Sequence, residues 1–308
     1  MKFFSYKLVS AFLAIAVLAL LVTGCNKTST STATTTTTPS PTTSKTPPQI
    51  PPLQTFLMPL DDFTSGAGIS SAIDQESQRE FVCLASSDSM PLAIQQAALI
   101  DQSNWLYAAS KVLFWRTVAV VGLAIPVAAF KASFVNTPVQ QTDGSWIWSY
   151  TVTVIGTYTA KLHGSYTDNG VHWEMNISKQ GEYTDFLWYY GDSDLPATHG
   201  SWTLKENPQS PNDLLRIDWQ RNIADGTYTV QYTNIKPGAA ENGGYISVQY
   251  TGQTPYNHIW DIYNKAQDNH VNIEWNNQSQ AGEIKDYSKY FDNNWHCWDT
   301  SHNNCACQ

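Results

Sequence analysis

The sequence predicts a mainly β protein with an N-terminal helical part: an antiparallel β-meander curled into a barrel or half-barrel and packed by a long helix. Three observations predict it. From about residue 134 onward the apolar residues recur at every second position. Short turns rich in Asn, Asp and Gly separate these runs, as in Asp168-Asn169-Gly170, Ala224-Asp225-Gly226 and Asn242-Gly243-Gly244. Between about residues 66 and 133 the apolar period is instead helical.

The helical part is expected at 68–85 and 92–124. In the second stretch Leu92, Leu99, Leu106, Leu113 and Val120 recur every seven residues, with Ala98, Trp105, Val112 and Ala119 beside them. Such a wide apolar face has to be buried. Thr117–Phe130 is almost wholly apolar, but it spans 14 residues, holds Gly122 and Pro126, and is flanked by Arg116 and Lys131. A buried helix broken near Pro126 fits this stretch better than a membrane span.

In the β-meander, about 134–308, Trp146, Trp148, Tyr150, Val152 and Val154 share one face, and Ser149, Thr151 and Thr153 the other. Tyr158, Ala160 and Leu162, then Val171, Trp173, Met175 and Ile177, continue the pattern. Further strands are expected at 183–190, 200–206, 214–221, 227–235, 245–251, 257–264, 270–276 and 283–287. Connections this short cannot hold parallel crossovers, so neighbours should pair antiparallel.

The N-terminus follows different rules. Lys2 and Lys7 precede an uncharged apolar run from Leu8 to Val22, which ends in Val22-Thr23-Gly24-Cys25. This segment resembles the signal peptide and lipobox of bacterial lipoproteins. The resemblance implies cleavage after residue 24, acylation of Cys25, and an extracytoplasmic protein held by lipid on a bacterial cell membrane, at the outer leaflet of the cytoplasmic membrane or at the outer membrane. Residues 25–52 are rich in Thr, Ser and Pro, with Thr34 to Thr38 unbroken. They cannot bury enough apolar surface to fold and should serve as a tether. Residues 53–308 then form a single domain. Its helix-over-curved-sheet plan is similar to that of envelope lipid-carrier lipoproteins, and its Trp-rich C-terminal half resembles envelope lipoproteins that remain uncharacterised.

Composition narrows the partners. Seventeen basic residues less Lys2 and Lys7 leave 15 against 26 acidic residues, a net charge of −11 for the mature chain. Such a surface disfavours nucleic acid. No cofactor is expected. The partners expected are membrane lipid through Cys25 and an apolar or glycan ligand.

Four cysteines besides Cys25 remain: Cys83, Cys297, Cys305 and Cys307. In an exported chain they are disulfide candidates, with Cys297 bridging Cys305 or Cys307. His296, Cys297, His302, Cys305 and Cys307 also have the side chains of metal ligands, but their spacing fits no common zinc module. Gly191-Asp192-Ser193 and Asp299-Thr300-Ser301-His302 superficially resemble the outer motifs of Gly-Asp-Ser esterases. The intervening blocks of that family are missing, and no catalytic residue is assigned.

The strand at 183–190 is the candidate ligand surface. By alternation Phe186, Trp188 and Tyr190 occupy one face and Leu187 and Tyr189 the other, so one aromatic set is covered or exposed. The leading function is thus a non-enzymatic envelope lipoprotein with a structural or apolar/aromatic ligand-binding role. A carbohydrate-binding surface module comes next and a hydrolase last.

Overall fold

The computed structural model describes residues 46–57, 101–154 and 156–307. The signal peptide, Cys25, most of the tether, the helix expected at 68–85 and Cys83 lie outside these residues.

Fourteen strands form one antiparallel sheet whose spatial order equals chain order, from β1 (Val139–Gln140) to β14 (Asn304–Cys305). Every pairing joins consecutive strands, as short turns require. The order is open: among the described residues β1 and β14 do not pair, so the sheet is not the closed barrel that the period-two pattern allowed. Both edges are two-residue strands, too short to template another chain. The strands named below are β2 (Trp146–Thr153), β3 (Thr157–Thr167), β4 (Gly170–Lys179), β5 (Tyr183–Ser193), β6 (His199–Asn207) and β7 (Ser210–Asn222). They continue as β8 (Thr227–Asn234), β9 (Tyr245–Tyr250), β10 (His258–Asn264), β11 (Asn269–Trp275), β12 (Gly282–Asp286) and β13 (His296–Trp298).

The helical part departs from expectation at residues 101 and 102, which are not helical. Helix α1 spans Ser103–Gly122, and α2 spans Ala124–Ser133. The break at Leu123 has a cause in Pro126. The ring lacks an N–H and would strike the carbonyl four residues back, at Gly122, whereas in the first turn of α2 no N–H is needed. Among the described side chains of α1 the buried ones are Trp105, Ala108, Ala109 and Val112, at i, i+3, i+4 and i+7, while Leu106 of the leucine heptad is only half-buried. Trp105 and Val112 lie on the buried face, where the apolar pattern placed them, with Ala108 and Ala109 between them. No helix among the described residues is long and apolar enough to cross a membrane.

One face of the sheet is the core. Trp173, Trp202, Trp260, Trp275, Trp298, Tyr189 and Tyr232 are fully buried on it. Helix α2 packs on β2 and β3, and α1 packs on β12 to β14. Between them the segment 46–57 crosses the same face. Thr46 accepts a hydrogen bond from the Tyr166 hydroxyl on β3, and Phe56 accepts one at its carbonyl from the Tyr232 hydroxyl on β8. The Phe56 ring stacks on Phe130 of α2 at 4.8 Å and meets Tyr189 and Trp202. Part of the stretch assigned to the tether is therefore a core strap, because Ile50, Leu53 and Phe56 supply the apolar surface that the Thr/Ser run lacks.

The indoles need space, and glycine provides it. Gly191 pairs with both Trp173 and Trp202, so each indole lies over a residue without a side chain. A Cβ at Gly191 would sit 2.0 Å from the Ser201 carbonyl oxygen and 2.7 Å from the Trp202 ring.

His258 on β10 is buried between Tyr250 and Trp275, and its Nδ1 lies 2.8 Å from the Asn257 side-chain oxygen. Burial lowers its pKa from 6.5 to about 4. Because the unfolded chain takes up the proton first, stability is full above about pH 6.5. It falls as the pH drops toward 4, and the contribution is constant again below that, for a loss of about 3 kcal/mol. Urea midpoints measured between pH 7 and 4 should show this slope. His258→Gln should flatten it.

Candidate functional site

The 183–190 strand does not present a free aromatic set. Its alternation is broken where Met175 pairs with Tyr189 but the next residue, Asn176, pairs with Leu187. The extra residue, Trp188, forms a β-bulge. A second irregularity lies between Ile177 and Lys179, and Asp185 adopts φ 46° there. Phe186 thus pairs with buried Ile177, and Tyr189 with buried Met175, so both turn toward the core face that strict alternation had divided between them. Trp188 is buried, and its ring meets those of Tyr183 and Phe186 at the rim of the core. Leu187 and Tyr190 are half-buried. The Tyr190 hydroxyl donates to Asp213 at 3.2 Å, and Lys205 lies over its ring. An exposed stacking surface on this strand is therefore absent from the described residues.

A broad depression lies elsewhere. A cleft of about 1110 Å³ opens on the outer face over β4 to β8. The pairing registers explain its chemistry. Ser165, His172, Asp192, Ser201, Asp218, Gln231, Ser247, Asp261, Asn272 and Lys285 stand opposite one another across ten strands. Partners directly opposite point to the same face, so the row is a continuous polar band. The cleft lies on its β5–β8 portion.

Within the cleft the polar groups are held in pairs. Asp218 receives the Arg216 guanidinium in a two-pronged contact, Nε at 2.8 Å and Nη2 at 2.7 Å, which raises the arginine pKa further. His172 Nδ1 lies 2.8 Å from Asp192. Asp194 turns the β5–β6 connection. Burial pushes its carboxyl up, but the His199 and Thr198 N–H groups and the Thr198 hydroxyl, all donating to it, outweigh that and hold it below the usual carboxylate range. Ser201 stands between Asp192 and Asp218 in the row. The result is an open surface of fixed acceptors and donors. It suits many modest hydrogen bonds to a hydroxyl-rich ligand better than apolar burial.

The Ser193 and His302 of the two esterase-like motifs do not come together. The Ser193 hydroxyl accepts from the Trp173 indole N–H at 3.0 Å and is buried. His302 stacks on Trp105 of α1 at 4.3 Å, beside β13 and β14, eight places away in the strand order from β5.

The C-terminal tail is bridged. Cys297 and Cys307 form a disulfide with a Cα–Cα separation of 5.3 Å, and Cys305 is an exposed free thiol. His296 stacks on Tyr290 and places Nε2 3.1 Å from Asp292. Among the described residues one trio of candidate ligand atoms falls within 4.8 Å of one another: Glu283, Cys297 and Cys307. It includes neither His296 nor His302, and its two sulfurs are bonded to each other.

The cleft residues were the ones that strand patterning passed over. Asp192 stands out in the sequence only as part of Gly191-Asp192-Ser193, and Arg216 and Asp218 belong to no motif. The i, i+2 spacing of Arg216 and Asp218 does place both on one face. Their neighbours across the strands depend on register, which the sequence leaves open.

No protein-family model matches the chain, and neither does any curated protein or solved structure.

Proposed function

We propose that this chain is a lipid-anchored protein of the bacterial cell envelope whose folded part is a non-enzymatic binding module for a hydroxyl-rich ligand of the glycan class. The observation that carries this is the contrast between the two faces of the sheet. The core face is filled by α1, α2 and the 46–57 strap, whereas the outer face carries an open polar cleft. An apolar carrier needs the reverse. The anchor rests on Val22-Thr23-Gly24-Cys25 after an apolar run, and the residues between Cys25 and Thr46 give the module reach from the membrane.

The sheet is proposed to bend round the helices as a half-barrel. In support, α2 packs on β2 and β3 and α1 on β12 to β14, while the two helices also touch each other. A bend would leave the polar band on the convex side, facing outward. A purely structural role is the second reading. The fully buried tryptophans favour it, since they make a rigid core out of much of the chain's aromatic content.

The test is retention of the exported domain on immobilised envelope polysaccharide. Asp218→Ala leaves Arg216 without its partner and removes two acceptors, and Asp192→Ala opens the other side of the row. Each should weaken retention about tenfold or more, the equivalent of one or two charge-assisted hydrogen bonds. Melting temperatures should stay near wild type, because both residues are on the solvated face. Equal retention by wild type and both variants would overturn the cleft as the binding site.

A further inference from the structure

The tail holds chemistry that the binding role leaves unused. Cys297 on β13 has two possible partners. One is Cys307, to which it is bridged. The other is Cys305, whose Cα is its direct cross-strand partner on β14. Residues opposite each other in an antiparallel pair point to the same face, with Cβ atoms roughly 4.5–5.5 Å apart. A disulfide needs about 3.5–4.5 Å, so a small closure joins that pair. Cys297 is thus bonded to Cys307 and stands opposite Cys305, which is free and exposed.

We propose that Cys297, Cys305 and Cys307 form a thiol–disulfide exchange site in which Cys305 and Cys307 compete for the Cys297 sulfur, latching the C-terminal tail in either of two covalent states. In the exchange the Cys305 thiolate attacks Cys297 Sγ. The Cys297–Cys305 bond forms, the Cys297–Cys307 bond breaks, and Cys307 leaves as a thiolate that takes up the proton Cys305 gave up. No external oxidant or reductant is consumed.

A carboxyl group stands beside the disulfide. Glu283 of β12 is the cross-strand partner of Cys297 on its other side, and its Oε2 lies 3.2 Å from Cys297 Sγ. A disulfide sulfur carries no hydrogen, so this is a contact and not a hydrogen bond. Oε2 instead accepts from the Tyr256 hydroxyl at 3.2 Å. Burial first, and then repulsion from Glu274, raises the Glu283 pKa, which suits a group that both accepts and returns a proton. Releasing Cys307 would free the last residues from Trp295, whose carbonyl its sulfur now touches at 3.1 Å.

The experiment uses the full mature chain in detergent. It is held at pH 8, quenched in acid, alkylated and mapped by non-reducing peptide mass spectrometry. Both bridges should appear, Cys297–Cys307 with Cys305 alkylated and Cys297–Cys305 with Cys307 alkylated. In Cys307→Ser the Cys297–Cys305 bridge should form in most molecules on air oxidation. Glu283→Gln should slow the approach to equilibrium by about tenfold or more without moving the final ratio. Alkylation confined to Cys305 at all times overturns the proposal, as does a Cys83–Cys305 bridge that leaves no free thiol. Free Cys297 and Cys305 in Cys307→Ser would do so as well.

Discussion

Truncating Trp173 to Ala should destabilise the domain by about 3–5 kcal/mol, the cost of a large cavity in a close-packed core. Trp173 is fully buried, its ring meets Trp148 at 5.9 Å, and its N–H donates to buried Ser193. The substitution therefore removes packing and also leaves the Ser193 oxygen without its donor. Equilibrium urea unfolding of the exported domain reads the loss directly. Gly191→Ala probes the same place from the other side. Its Cβ would run into the Ser201 carbonyl and the Trp202 ring, so β5 and β6 would have to separate. A near-neutral Trp173→Ala would mean that the indole is not where the core is.

Cys25→Ser should move the protein almost completely from the membrane pellet to the soluble exported fraction. The expectation follows from the apolar run that ends at Gly24 and from acyl-chain energetics. Two chains hold a protein stably, whereas a single chain binds marginally and none leaves only the surface charge. With 15 basic against 26 acidic residues after cleavage, that charge repels anionic headgroups. Retention of Cys25→Ser in salt-washed membranes would contradict the anchor.

Strand existence and facing were legible because the chemistry is local. Trp146, Trp148, Tyr150 and Val152 are buried in β2, as their alternation says, and the antiparallel order follows from turn length. What was not legible required knowledge of partners. The bulge at Trp188 exists because β4 and β5 differ in local length, and it re-aims Phe186 against Ile177. β1, β13 and β14 are two or three residues long, too short to show a period. The strap at 46–57 was hidden by the Thr/Pro composition before it, although Ile50, Leu53 and Phe56 are the apolar signal that distinguishes it. In the tail, spacing left Cys305 and Cys307 equivalent as partners of Cys297; the structure bridges Cys307 and keeps Cys305 directly across the strand pair.

The polar band shows the same limit more sharply. Each member, from Ser165 to Lys285, is an unremarkable polar residue on the solvated side of its own strand. Ten of them line up only because nine registers agree. A site assembled one residue per strand leaves no motif in the chain.

On the proposed function, ligand meets the polar outer face and the core face is closed to it. The most direct measurement is the identity of the material that the Cys25→Ser domain retains from its native envelope, read by mass spectrometry after parallel aqueous and organic extraction. Hydroxyl-rich material is expected in the aqueous extract, lost in Asp218→Ala, with no stoichiometric apolar compound. One equivalent of lipid in the organic extract, unaffected by Asp218→Ala, would contradict it.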